Sequence, residues 1–99
     1  MEEKKEKLSM KDLILLFFST ISARCWARLG LTEDEYGDFY QDLGEARLGI
    51  DTLDAVFNKI KDLVDEKVRR EMEGVLSTLK LNYFHQYQKS QKKKEANQT

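Results

Sequence analysis

The sequence predicts an all-α fold, a small bundle of about three helices whose core is completed by homo-oligomerisation. Three observations predict it. Apolar residues recur at helical spacing, and no segment carries a competing strand signal. Pro is absent from all 99 residues, and with only five Gly the chain is a poor candidate for a turn-dense β-sandwich. Six consecutive apolar residues, Leu13-Ile14-Leu15-Leu16-Phe17-Phe18, leave one stretch of helix without a polar face.

The first helix is predicted over about residues 9–29. Ser9 can cap the following amides, and Asp12 three residues on completes a capping-box-like pair at the positive helix end. The helix then reads Leu13 to Phe18, Ile21, Cys25, Trp26 and Leu29, with Gly30 as the expected stop. A helix apolar all round must be covered all round, and one short chain offers only two other helices to do so. Each buried Leu, Ile or Phe contributes ~1.5–3 kcal/mol. Leaving three or four of them in water forfeits much of a total stability of only ~5–15 kcal/mol. The oligomer interface is therefore expected at Leu13, Leu16, Phe17, Phe18, Ile21 and Trp26, in a homodimer or higher assembly.

A second helix is predicted over residues 38–64, after the acidic turn Leu31–Gly37. Its seam is Leu43, Ala46, Ile50, Leu53, Phe57, Ile60 and Val64, alternating three and four residues apart as in coiled-coil-like packing. Gly44 and Gly49 lie off this seam and mark close helix approach or fraying. After Val64 the phase slips: the next apolar positions are Val68, Met72, Val75, Leu79 and Tyr83, whereas the old seam would continue through Lys67 and Glu71. Asp65 suits an N-cap, so a break and a third helix over residues 66–88 are expected. Residues 1–8 read as a flexible charged terminus and residues 89–99 as a disordered basic tail.

Charge is segregated although 17 basic and 18 acidic residues nearly cancel. Residues 32–66 hold eleven acids against three bases, and residues 67–99 hold eight bases against three acids. Net neutrality gives no global steering toward nucleic acid. Leu13–Ala23 is too short to span a ~30 Å hydrocarbon core. The acids Glu2, Glu3 and Glu6 do not suit a signal peptide. Ser22-Ala23-Arg24-Cys25 only faintly resembles a lipoprotein cleavage site, since Arg24 stands where a small residue belongs. A lone Cys25 forms no intrachain disulfide, and the expected compartment is the cytoplasm.

Three segments carry a family resemblance. They are the apolar first helix ending in Leu29-Gly30, the run from Leu43 through Gly44-Glu45-Ala46-Arg47-Leu48-Gly49-Ile50 to Asp51, and Leu76-Ser77-Thr78-Leu79-Lys80-Leu81-Asn82-Tyr83. On these, residues from Leu8 to about Tyr87 resemble a bacterial family of short, all-helical proteins defined as a domain of unknown function. The resemblance implies an all-helical bacterial protein and supplies no activity, cofactor or catalytic residue.

No side-chain constellation suggests catalysis, so the chain is not expected to be an enzyme. His85 has no second His and no nearby Cys, and suits a helix-end cation. Cys25 beside Trp26 reads as a small buried hydrophobe. Glu45, Asp51 and Asp54 fall roughly along one side of the second helix and read as its solvated flank. One Cys and one His are too few for the usual zinc site, so neither metal nor cofactor is expected. Tyr83, Phe84 and Tyr87 beside Lys89, Lys92, Lys93 and Lys94 read as packing aromatics and a solubilising tail, not a nucleic-acid site. The expected function is a non-enzymatic homo-oligomeric module for protein–protein interaction. The alternative is a peripheral membrane protein using the apolar first helix, Arg24, Arg28 and the lysines.

Overall fold

The computed structural model describes residues 7–97, so expectations for residues 1–6, 98 and 99 lie outside the described residues. Lys7 and Leu8 are exposed and precede the first helix. Three helices follow: α1 (Met10–Arg28), α2 (Leu43–Ile60) and α3 (Glu66–Asn97). Among the described residues there is no strand, and the fold is an all-α small bundle.

Local chemistry sets most helix ends. The Ser9 hydroxyl accepts the Asp12 amide at 3.0 Å and opens α1. At the other end Gly30 takes φ 83°, and its amide bonds the Ala27 carbonyl while the Leu31 amide reaches Trp26. This left-handed stop satisfies two otherwise orphaned carbonyls and turns the chain. Asp42 caps α2 by accepting the Glu45 amide at 3.1 Å, and Asp65 caps α3 by accepting the Val68 amide at 2.9 Å.

The second helix is shorter than expected at both ends. Residues 38–42 are not helical, because Asp34 holds the Asp38 and Tyr36 amides at 3.0 and 2.9 Å and fixes a closed loop up to the Asp42 cap. Residues 61–64 turn instead of continuing α2, so Val64 packs against the core from outside the helix. The third helix is longer than expected. Residues 89–97, read as disordered, continue α3. They contain no Gly or Pro, and extending a helix already nucleated needs only one hydrogen bond per added residue.

The chain turns back twice. The Asp42 amide bonds the Arg28 carbonyl at 2.8 Å, and Cys25 packs on Ala46, so α1 and α2 are antiparallel. Lys80 pairs with Asp54 at 2.9 Å and Gln41 bonds Gln86 at 3.1 Å, so α3 returns antiparallel to α2. Helix α2 is thus central. Its six seam residues from Leu43 to Ile60 lie in the core or against it, as does Val64 beyond its end, together with Phe18 and Cys25 of α1, the α1 cap Leu29, and Met72, Leu76 and Leu79 of α3.

The result is elongated, measuring 71 × 31 × 17 Å with a radius of gyration of 17.1 Å. A compact chain of this length has a radius near ~13 Å. Its accessible surface is 7833 Å², against roughly 5,800 Å² from the size scaling of compact monomers.

Candidate functional site

The uniformly apolar start of α1 divides when the helix lies on α2. Phe18 turns inward and is buried, while Ile14 and Leu15 pack against the core and Leu13 is half-buried. Leu16 and Phe17 turn outward and stay 58% and 56% exposed, with Met10 a turn or more earlier also exposed. This outer face is the candidate interaction surface. Three residues expected at the oligomer interface are engaged elsewhere: Phe18 belongs to the chain's own core, and Ile21 and Trp26 pack against it. Leu13, Leu16 and Phe17 remain on the outer side.

A groove of about 490 Å³ runs between α1 and α2, lined by Arg24, Cys25, Arg28, Tyr40, Glu45 and Gly49 among others. Its cations are already engaged by the loop. Arg24 pairs with Glu35. Arg28 donates to Asp34 at 3.4 Å and to the Tyr40 carbonyl at 3.3 Å, and lies 5.1 Å from the Tyr40 ring centroid. Neutralised in this way, the groove offers no ready anion site. The Asp34 carboxyl is held below its ordinary value mainly by the Asp38 amide, against some desolvation, with help from the Tyr36 amide and Arg28.

Residues that could carry chemistry are divided among the α1–α2 groove, the α2–α3 side and the exposed surface of α3. Cys25 is buried with its thiol over the Ala46 carbonyl, and burial pushes the thiol up to about 11, so at neutral pH it is no thiolate nucleophile. His85 is exposed on α3, beside Phe84. Only Glu45 stands apart from the other two acids: it lines the α1–α2 groove, whereas Asp51 shares a groove with Lys80 on the α3 side and Asp54 pairs with the same Lys80 at 2.9 Å. A span of nine residues turns through two and a half helical turns, which separates the first acid from the last. Among the described residues no three His, Cys, Asp or Glu side chains come close enough to hold a metal ion. Tyr83 packs on the core and stacks on Tyr87 with centroids 6.1 Å apart, whereas Phe84 is exposed.

Sequence reasoning missed two features. One is the aromatic run Tyr36, Phe39 and Tyr40, exposed on the loop before α2. Its signal was present, since apolar residues at 36, 39 and 40 find no counterpart in the α2 seam. The other is the exposure of Leu81 on the outer face of α3, where Phe84, expected to pack, is exposed as well.

Fold and surface together describe a small helical bundle with large apolar side chains exposed on the outer face of α1. The chain belongs to the family described as Domain of unknown function (DUF1844), which matches residues 11–85. No curated protein and no solved structure matches it. No helix among the described residues is long and apolar enough to cross a membrane.

Proposed function

We propose that the chain is a non-enzymatic, homo-oligomeric helical module for protein–protein interaction, and that a second copy covers the outer face of α1. The exposure of Leu16 and Phe17 on a helix whose inner face is already used carries this reading. Two large apolar side chains in water forfeit ~1.5–3 kcal/mol each relative to burial. A two-fold pairing brings the same patch from both copies together and leaves no open end at that contact.

Sedimentation equilibrium at micromolar concentration tests this. The expected mass is at least twice 11.6 kDa, falling to one chain for Phe17→Glu or Leu16→Glu with helical circular dichroism retained. A wild-type chain that stays monomeric to 100 μM refutes it. Flotation with anionic vesicles is the control for a lipid-facing role, and the folded oligomer is expected not to float.

A further inference from the structure

One end of the molecule carries two features that a single chain does not bring together. The first is the loop between α1 and α2. Tyr36 is 78% and Phe39 65% exposed, with Tyr40 beside them. Asp38 stands between Tyr36 and Phe39 in the chain and Glu33 precedes them on the same loop, and neither carboxylate takes part in an ion pair among the described residues. Aromatic faces set among free carboxylates favour a cation, by charge and by attraction of the ring faces for ammonium groups. The loop already holds one cation in this way, the Arg28 guanidinium over Tyr40.

The second feature is the end of α3. Gln86, bonded to Gln41 near the loop, makes the last side-chain hydrogen bond from α3 to another element among the described residues. Beyond it the helix continues to Asn97, carrying Lys89, Lys92, Lys93 and Lys94 against the single acid Glu95. None of these lysines forms an ion pair among the described residues. Lys92 to Lys94 stand six to eight residues past Gln86, about 9–12 Å farther along the axis at the helical rise. A chain's own loop therefore sits at the foot of its own arm and leaves these lysines unmatched. A helix that is polar all round gains nothing from packing by itself.

The two features complement each other in charge. We propose that in the assembled protein the lysine arm of α3, residues 89–94, docks on the acidic aromatic loop, residues 33–40, of a second copy. Under a two-fold operator each arm lies over the other chain's loop, so both charge sets are matched at once. This rests on the self-association proposed above and names a contact within it.

A charge-swap mixture of full-length chains tests it. One chain carries Lys92→Glu, Lys93→Glu and Lys94→Glu; the other carries Glu33→Lys and Asp38→Lys. All five positions are exposed, so both chains are expected to keep wild-type helicity by circular dichroism. Alone, each presents like charges across the contact, and its self-association by sedimentation equilibrium is expected to weaken at least tenfold at 50 mM NaCl. Mixed in equal amounts they present opposite charges in both contacts, and wild-type affinity is expected to return. Only contact between two chains produces that rescue. Two results overturn the proposal while leaving self-association standing: an arm-reversed chain that associates like wild type, or a mixture no tighter than its components. If the arm-reversed chain associates normally but loses binding of a single-stranded RNA oligonucleotide that wild type holds, the arm serves nucleic acid instead. A wild-type chain that never associates removes both proposals.

Discussion

Gly49 on α2 lies so close to Cys25 on α1 that a β-carbon at residue 49 would come within 2.5 Å of the thiol sulfur. This contact sets how α1 sits on α2, because it brings the two backbones together where the helix seam offers no side chain. It also explains why a residue unfavourable to a helix interior stands in the middle of α2.

Gly49→Ala is therefore expected to destabilise the fold. Its helix-propensity gain of up to ~1 kcal/mol is outweighed by overpacking of ~1–3 kcal/mol. In a Cys25→Ala background the obstacle is gone, and the same change is expected to stabilise. Urea unfolding of the four chains in this double-mutant cycle measures the coupling, and an equal effect of Gly49→Ala in both backgrounds defeats the prediction.

Gly74 on α3 is the matched control. Nothing lies within 4 Å of a β-carbon built there. Gly74→Ala is expected to raise stability by ~0.5–1 kcal/mol through backbone entropy alone. A loss of stability would mean that another chain occupies that space.

The Cys25 thiol supplies a pH signature. It is an acid whose folded value, about 11, lies above its ordinary 9.0 because burial disfavours the thiolate. The unfolded chain thus releases this proton first, and the stability tied to it is full below pH 9 and falls as pH rises toward about 11. Cys25→Ala is expected to have a flatter stability profile across that window. Alkylation by iodoacetamide at pH 8 should be slow in the native chain and fast in urea.

Asp34 acts in the opposite direction. Its carboxyl is lowered chiefly by the Asp38 amide, so its contribution is present above the ordinary value of 3.8 and is lost as pH falls below it. Asp34→Ala is expected to speed amide exchange at Tyr36 and Asp38 while leaving Leu53 in the core protected. Unchanged exchange at both loop amides would show that the carboxylate does not hold the loop.

Leu53 and Phe17 should separate folding from association. Leu53 is fully buried, and Leu53→Ala is expected to cost ~2–5 kcal/mol at any protein concentration. Phe17→Ser is expected instead to abolish the concentration dependence of Tm, because ligation by a second copy stabilises by mass action. A Tm that rises with concentration in the Phe17→Ser chain would place the contact elsewhere.

The features legible in the sequence are those written in neighbouring residues. Ser9 with Asp12, Leu29 with Gly30, and Asp65 before Val68 each fix a helix end within one turn. The α2 seam shows because its apolar residues stand against polar ones. Helix α1 has no such contrast between residues 13 and 18, so the sequence cannot say which of its six side chains face inward. That choice is made by α2, through Ala46 and Gly49 against Cys25. The acidic stretch before α2 is ambiguous for a related reason. Asp38 and Asp42 suit the first turn of a helix as well as a closed loop, and the decision rests with Asp34 and its distant partner Arg28. The extension of α3 is not legible in apolar periodicity, because residues 89–97 have no apolar face; it rests on Lys, Gln, Glu and Ala, good helix formers that prolong a helix already nucleated.

With principal extents of 71 × 31 × 17 Å, the particle carries more drag for its mass than a sphere. On a gel-filtration column calibrated with spheroidal standards, a lone chain would elute early and pass for a pair. Its tumbling is anisotropic as well: amide vectors in α1, α2 and α3 lie close to the long axis, so they would report longer correlation times, and faster transverse relaxation, than those in the loop before α2.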